Sequence, residues 1–288
     1  MPKLGVITDG ISRDFERALQ VMTEADLEYA ELQFLWDKEV GDLSDDEMAK
    51  AKALVDQYGV KVSCISRHNF GGLLIGQVEV GDEIYNQHMD GLKRCIAMAK
   101  EFGTQTVRIM SFRREMILFG KNGAEHWIIS KGSWEKLQQL LTPVVNLAEA
   151  EQVTLVLETG NNAMIPSAYL GAKLVREMGS DHLKILWDPC NSIYANELTY
   201  PDGYDCLNNG SLGHFHIKDA KVDMPKALVE FCELGKGDMA PILQPLADRL
   251  KQDGYDGVTS LESVYRPTGG NFEDGFKASV KYFKQLFS

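Results

Sequence analysis

Apolar and polar positions along the chain follow two different periods. Strand-length apolar runs occur at Leu4–Thr8, Tyr29–Phe34, Val60–Ser66 and Thr106–Met110, and four later runs end at Glu158, Asp188, His216 and Glu262. The segments between them carry apolar residues at three- and four-residue steps, which indicates amphipathic helices. These segments are Phe15–Ala25, Asp45–Tyr58, Tyr85–Phe102, Trp134–Ala150, Ser167–Met178, Ile242–Gln252 and Phe276–Phe287, with a weaker polar stretch at Tyr200–Asn209. Eight strands alternating with about eight helices predict an α/β protein with a (β/α)8 TIM barrel.

Two segments interrupt the regular pattern. Pro143 lies inside the fourth helical pattern, which predicts either a kink there or a helix that begins later than Trp134. The stretch from Asp219 to Asp238 contains Pro225 and a glycine-rich turn, and we expect it to be irregular. Because it follows the seventh strand, a barrel would place it beside the substrate.

Length and composition favour one globular unit. The 288 residues are 44% hydrophobic, and no linker or low-complexity stretch interrupts them, so we expect a single domain over residues 1–288. We expect neither a secretion signal nor a membrane span. Five cysteines without a CxxC pair indicate reduced thiols and a cytoplasmic setting. The net charge of −12, without a basic cluster, makes nucleic acid an unfavourable partner.

The last four strands each bring one potential metal ligand to a strand end. Glu158, Asp188, His216 and Glu262 follow one another at steps of 30, 28 and 46 residues, each compatible with one β/α unit. Three carboxylates and one imidazole suit a single Mn²⁺, Mg²⁺ or Co²⁺ ion, with manganese favoured and Zn²⁺ a further option. Individually, Glu158 is also explained as a strand-end acid, Asp188 as a turn residue, and Glu262 as an ion-pair partner of Arg266.

The same segments carry a family resemblance over the whole chain. Leu-Glu158, Trp-Asp188-Pro, His214-Phe-His216-Ile-Lys-Asp219 and Leu-Glu262-Ser occur in the order seen in xylose-isomerase-like barrels, the sugar isomerase and epimerase group. The resemblance implies that the four residues above bind the metal and that Glu158 and Glu262 are the catalytic acid and base. It also implies a homodimer or homotetramer and a small sugar as substrate.

The expected reaction begins with removal of a proton next to a carbonyl. A substrate that chelates the metal through its carbonyl and neighbouring hydroxyl forms an enediolate at lower cost. One glutamate then removes the proton and the other returns one to the opposite face, which gives isomerisation or epimerisation. The same enediolate can expel a leaving group, so a dehydratase or eliminase is the alternative. His68, His126 and Lys218 are candidate acids for that elimination.

Further polar residues are candidates for substrate binding. Lys218 follows His216 by two residues, so a strand would point both to the same side, and a salt bridge is its alternative role. Arg108 lies inside a strand, where it needs a partner, either a ligand carboxylate or the substrate. His214 is a core histidine or an orienting partner of the site. His68 and Trp36 lie on loops at the active-site face, with Trp36 either stacking on a sugar or simply packing.

Residues 111–132 form a long connection after the fourth strand. The segment contains Arg113, Arg114, Lys121, His126 and Trp127, and its length exceeds that of an ordinary βα loop. We expect a lid or an oligomer contact, and His126 is a substrate-binding candidate within it. A solvated arm is the alternative.

Two other function classes share this barrel or its pockets. An abasic-site endonuclease uses several metal ions with additional histidines, whereas this chain has Asn191 three residues after Asp188 and no histidine at Met110 or Ser111. A non-catalytic sugar-binding protein has no need of both Glu158 and Glu262. Both alternatives therefore rank below a sugar enzyme.

Overall fold

A closed barrel of parallel strands organises the molecule, as seen in a computed structural model that describes residues 2–114, 132–195 and 197–287. In these ranges the strands are β1 (Lys3–Ile7), β2 (Tyr29–Leu32), β3 (Phe34–Leu35), β4 (Lys38–Glu39), β5 (Lys61–Ile65), β6 (Thr106–Met110), β7 (Thr154–Glu158), β8 (Leu183–Trp187), β9 (Leu212–Ile217), β10 (Asp219–Asp223), β11 (Leu228–Cys232) and β12 (Val258–Leu261). The barrel order is β1-β12-β9-β8-β7-β6-β5-β2. The predicted (β/α)8 barrel is therefore confirmed.

Helices cover the outside of the barrel and bury apolar side chains in the core. Within the described ranges they are α1 (Phe15–Glu24), α2 (Asp45–Tyr58), α3 (Glu83–Glu101), α4 (Ser133–Glu151), α5 (Ala168–Met178), α6 (Pro189–Tyr194), α7 (Tyr204–Leu207), α8 (Ala240–Gln252) and α9 (Phe272–Phe287). Sequence signals define their ends: Ser44 and Glu47 form a capping box that begins α2, and Gly59 ends it in the left-handed conformation. Large apolar side chains such as Trp187 and Phe215 are fully buried.

Two helix predictions need correction. Helix α4 begins at Ser133 and continues through Pro143, so the alternative of a later start is wrong. The predicted helix at Tyr200–Asn209 is present with different bounds: a π-helical turn spans Thr199–Gly203, with Tyr200 itself extended at φ −137° and ψ 133°, and α7 follows and ends at Leu207. A residue before a proline is disfavoured in the α-helical region, and Pro201 explains the extended Tyr200.

Two hairpins were not predicted, and both stand beside the barrel mouth. Strands β10 and β11 pair antiparallel from Asp219–Cys232 to Asp223–Leu228, so the expectation of an irregular segment is wrong. Pro225 lies in the turn between the strands and leaves the ladder intact. Strands β3 and β4 form the second hairpin, whose turn residues Trp36 and Asp37 both have positive φ. That pair of left-handed residues is typical of a tight two-residue hairpin turn.

Candidate metal centre

Four adjacent barrel strands bring the predicted ligands to one edge. Strands β12, β9, β8 and β7 are neighbours and parallel, so their carboxyl ends lie side by side. Glu158 ends β7, Asp188 follows β8, His216 lies in β9, and Glu262 follows β12. Each residue offers one ligand atom, and these four atoms all lie within 4.8 Å of one another. The first and last of these four residues are 104 positions apart in the chain, and the barrel brings all four together.

Two buried cations compensate the clustered carboxylates. Arg108 Nη1 donates to Glu158 Oε2 at 2.9 Å, and its Nη2 donates to the Ser66 carbonyl. Lys218 Nζ contacts Asp188 Oδ2 and lies 2.7 Å from Glu262 Oε2. Burial of unpaired charge is costly, and these contacts offset part of that cost. Arg108 therefore pairs with a candidate ligand carboxylate, and Lys218 pairs with two others.

The imidazole of His216 faces two different groups. Its Nε2 lies 2.9 Å and 3.1 Å from the two carboxylate oxygens of Glu31. Its buried Nδ1 has no hydrogen-bond partner among the described residues and lies 3.7 Å from both Glu158 Oε1 and Glu262 Oε2. Burial lowers the pKa of His216, but the charge of Glu31 together with the carboxylates of Glu158 and Glu262 raises it well above its ordinary value.

The donor set fits a divalent cation. A metal such as Mg²⁺ binds oxygen at about 2.1 Å, so donors at right angles around it lie about 3 Å apart and opposite donors about 4 Å apart. The 3.7 Å separations at His216 Nδ1 lie in that range and are too long for hydrogen bonds. An unpartnered buried nitrogen beside three carboxylates is the arrangement that a metal ion would complete.

The three carboxyl groups have different protonation preferences. Burial raises the pKa of Glu158, but the Arg108 charge and the His216 imidazole together lower it. Burial also raises the pKa of Glu262, and the Lys218 ammonium holds it well below its ordinary value. For Asp188, burial wins over Lys218 and raises the pKa to about 7. Glu158 and Glu262 are therefore ionised at neutral pH, whereas Asp188 accepts a proton near neutrality.

Glu31 is a residue of this site that sequence reasoning missed. It lies in β2, is fully buried, and contacts both His216 and His214, whose Nε2 is 2.7 Å from Glu31 Oε2. Although burial raises the pKa of Glu31, the charges of the two histidines hold it well below its ordinary value. The available signal was a carboxylate inside the otherwise apolar run Tyr-Ala-Glu-Leu, since a buried charge requires a partner. His214 thus contacts Glu31, and its role as an orienting partner stays a prediction.

His68 and Trp36 lie on loops around the barrel mouth. His68 has a half-exposed side chain, and its Nδ1 lies 2.7 Å from Glu39 Oε1, which also accepts its backbone N–H at 2.9 Å. Burial raises the pKa of Glu39, but hydrogen bonds from His68 and the charge of Arg67 lower it to about 2. Trp36 packs edge-on against Phe15, with ring centroids 5.8 Å apart, and its stacking on a sugar stays a prediction.

Two further predictions concern His126, in the long connection after β6, and Arg266. His126 and residues 115–131 lie outside the described residues, so the lid or oligomer contact stays a prediction. Arg266 lies over the ring of Phe272, 5.9 Å from its centroid, and Glu262 pairs with Lys218, so the predicted alternative of a Glu262–Arg266 pair is wrong.

The glycine-containing turn after the seventh barrel strand surrounds a carboxylate of the protein itself. Gly235 and Gly237 donate their backbone N–H groups to Asp219 Oδ2, both at 2.9 Å, and Met239 donates to Oδ1 at 3.0 Å. A Cβ at Gly237 would clash with Asp219 and with the backbone of Ala220. This turn therefore anchors the β10–β11 hairpin.

Comparisons with known proteins agree on the architecture. A family model described as a xylose isomerase-like TIM barrel matches residues 19–286. A structure of L-ribulose 3-epimerase is similar, with a TM-score of 0.71 and 18% identity over 100% of this chain and 95% of that one. A probable 3-DHS dehydratase from Bacillus anthracis is similar at a TM-score of 0.67 and 16% identity, over 98% of both chains.

A magnesium complex is also among the similar structures. This xylose isomerase-like TIM barrel protein from Mycobacterium smegmatis gives a TM-score of 0.64 at 14% identity, over 100% of this chain and 97% of that one. A comparison with functionally curated proteins finds no significant sequence match. In the part of the chain that the structure describes, no helix combines the length and apolar character that crossing a membrane requires.

Proposed function

The chain belongs to the xylose isomerase-like TIM barrel family, and we propose that it is a divalent-metal-dependent isomerase or epimerase acting on a ketose or a related sugar. The observation that carries this proposal is the cluster of three carboxylates around the unpartnered His216 Nδ1 at the carboxyl ends of the strands. That face of a TIM barrel is where catalytic residues lie. The sugar epimerases among its structural neighbours support the substrate class.

Glu158, Asp188, His216 and Glu262 would hold the metal ion. Manganese is our first choice, because this oxygen-rich set with one imidazole suits a borderline-hard ion, and magnesium, cobalt or zinc are the alternatives. When bound, the ion would supply positive charge beside the substrate carbonyl and lower the cost of removing the neighbouring proton. Asp188 is fully buried, which suits a ligand more than a group that exchanges protons with the substrate.

Glu158 and Glu262 would exchange the proton on opposite faces of the substrate. Glu158 is ionised because of Arg108, so it can accept the proton from the carbon. Glu262 is ionised as well, and the proton that it returns must come from a neighbour. Lys218 Nζ, 2.7 Å from Glu262 Oε2, is the donor in reach. Lys218 would thus have a proton-supplying role in addition to balancing charge.

A lyase of the same fold is the second candidate. The observation that favours it is the pairing of the half-exposed His68 with Glu39, because a carboxylate that orients an imidazole prepares it to protonate a leaving group. An elimination would use the same proton removal by Glu158 and then lose a β-hydroxyl. The dehydratase among the similar structures agrees with this alternative only at the level of fold.

Deuterium exchange tests the proposal directly. The Mn²⁺-loaded protein is incubated in D₂O with ketoses, ketose phosphates and inososes, and the products are read by NMR. We expect deuterium at the carbon next to the carbonyl of a recovered or epimerised sugar. Glu158→Gln and Glu262→Gln should both lose the exchange, since each lacks one of the two proton-exchanging carboxylates.

Glu28→Gln is the matched control, because Glu28 is exposed before β2, at the opposite end of the barrel. The control should exchange at the wild-type rate. An unsaturated product would establish the lyase alternative. If His68→Asn no longer forms that product, His68 is the acid that protonates the leaving group. Absence of exchange with every compound, despite bound metal, would contradict both enzyme proposals.

We also infer a cytoplasmic homo-oligomer, a dimer or a tetramer. The five cysteines are all free thiols, which agrees with a reducing compartment. Met224, Leu228 and Phe231 on the β10–β11 hairpin are exposed apolar side chains that a subunit contact would cover. Light scattering after gel filtration measures the mass, and a monomer at micromolar concentration would contradict this inference.

A further inference from the structure

Glu31 lies behind the candidate metal centre and has no role in the chemistry proposed above. Its side chain is fully buried in the barrel, where an ionised carboxylate requires several partners. Those partners are His216 Nε2 at 2.9 Å, His214 Nε2 at 2.7 Å and the hydroxyl of Ser66. Ser260 Oγ lies 3.2 Å from the same nitrogen of His214. The carboxylate is thus surrounded by polar groups from three strand regions, β9, β12 and the residue after β5.

Two strand irregularities occur beside this group. The register of β2 against β5 shifts between Ala30 and Glu31. The register of β8 against β9 also shifts next to His214. Ile185 is aligned with Leu212 and the next residue, Leu186, with His214, so Gly213 has no aligned partner in β8. A Cβ on Gly213 would lie 2.5 Å from Lys184 Cβ, so the close approach of the two strands at this position requires glycine. Bulges next to active sites re-aim side chains, and these two adjoin the residues that meet inside the barrel.

The two nitrogens of His216 have separate tasks in this arrangement. Nε2 faces Glu31, and Nδ1 is the ring nitrogen directed at Glu158 and Glu262, where a metal ion would take the place of its proton. Metal-binding histidines commonly donate their second ring N–H to a carboxylate, which fixes both the tautomer and the ring orientation. Here the carboxylate is itself held by His214 and Ser66.

We propose that Glu31 is a positioning residue that holds His216 with Nδ1 directed at the metal ion, and that His214 holds Glu31 in place. This inference rests on the proposed metal centre and extends it to two residues outside the set of four candidate ligands, Glu31 and His214, which share His216 with that set. It assigns a part in metal binding to β2, which lies three strands from β9 around the closed barrel.

Mn²⁺ affinity tests the inference without a substrate. Binding to the full chain is measured by competition with a fluorescent chelator, for the wild type, Glu31→Gln and His214→Asn. Glu31→Gln keeps the size of the side chain but replaces one acceptor oxygen by an amide, so we expect affinity to fall about 10- to 100-fold. His214→Asn should lower it less, because Glu31 still contacts His216.

A spectroscopic signal separates positioning from general damage. Pulsed electron paramagnetic resonance of bound Mn²⁺ should detect the coupling to a coordinated imidazole nitrogen in the wild type, and this coupling should weaken in Glu31→Gln. Ser63→Ala is the matched control, since its hydroxyl bonds to the Ala30 carbonyl next to Glu31 and touches neither histidine. It should keep both the affinity and the nitrogen coupling.

Each outcome bears on a separate statement. A wild type that binds no Mn²⁺ would overturn the metal centre and this inference together. Wild-type affinity and nitrogen coupling in Glu31→Gln would overturn the positioning role alone. If Glu31→Gln does not fold, His214→Asn decides: unchanged affinity and coupling in that variant would overturn the proposal, and weaker binding would support it.

Discussion

Charge compensation at single residues explains how three carboxylates coexist inside the barrel. Arg108 forms an ion pair with Glu158, and Lys218 forms ion pairs with both Asp188 and Glu262, so each acid has a cationic partner within contact distance. Replacing one member of a buried ion pair leaves an uncompensated charge, which destabilises far more than losing a surface pair. The cations are consequently as important for the integrity of the site as the acids.

Lys218→Met should therefore destabilise the metal-free protein. We expect the free energy of unfolding in EDTA to fall by about 3 kcal/mol, the lower end for breaking a buried ion pair, because Asp188 can take up a proton in response. Urea denaturation measures the change. Lys221→Met, at an exposed position on β10, is the control and should stay close to wild type. Equal stability of the two variants would contradict the compensating role of Lys218.

The contact between Glu39 and His68 predicts a pH dependence. The pKa of Glu39 is lowered from 4.5 to about 2 in the folded protein, so the unfolded chain binds more protons in that window. Stability contributed by Glu39 is therefore complete above about pH 5 and is lost as the pH falls from 4.5 toward 2. The stability difference between wild type and Glu39→Gln, measured by urea denaturation, should shrink over this range. A difference that stays constant would contradict the lowered pKa.

At the scale of elements, a short turn determines where the β10–β11 hairpin stands. Asp219 begins β10 and accepts four backbone N–H groups, from Ala220, Gly235, Gly237 and Met239. Both ends of the hairpin are thereby tied to one carboxylate, next to Lys218 of the site. Phe231 of β11 lies with its ring centroid 5.8 Å from Lys218 Nζ, so the hairpin forms part of the surroundings of the candidate centre.

Asp219→Asn should loosen this hairpin, because its amide nitrogen would face backbone donors and cannot accept from them. We expect a loss of about 1–3 kcal/mol in the free energy of unfolding, together with faster hydrogen exchange in residues 219–239. Asp223→Asn is the matched control, since Asp223 pairs with the exposed Lys226 in the same hairpin. Similar exchange rates in the two variants would show that Asp219 does not anchor the hairpin.

At the scale of the whole molecule, the candidate metal centre joins strands that are distant in sequence. Its candidate ligands lie in or directly after β7, β8, β9 and β12, and Glu31 behind them lies in β2. An ion bound there would therefore link much of the barrel wall. A ligand that binds only the folded state stabilises it in proportion to the logarithm of its concentration. The centre should therefore couple metal binding to global stability.

Metal addition should raise the stability of the wild type and EDTA should reverse the effect. At a free Mn²⁺ concentration 100 times the Kd, the gain is about 2.7 kcal/mol. Calorimetry at constant ionic strength measures the shift in Tm, and Glu262→Gln should show a much smaller one. The same Tm in Mn²⁺ and in EDTA would contradict the metal centre.

The sequence by itself determined the barrel and the order of its last four strand ends. Hydrophobic periodicity is a local property, and each of the runs ending at Glu158, Asp188 and Glu262 could be read without knowing its neighbours. The runs also carried the family resemblance that the family model confirms. For the same reason, local patterns misjudged the segment after Asp219, where pairing between two strands rather than periodicity sets the structure.

Only the tertiary structure decided which buried polar residues form hydrogen bonds and ion pairs with one another. Glu31 lies 185 residues from His216, and Lys218 could have paired with the adjacent Asp219 rather than with Asp188 and Glu262. A side chain's partners depend on barrel closure and on strand register, and a one-residue shift in register turns a side chain to the opposite face. The sequence therefore names the candidate ligands, and the closed barrel determines what orients them.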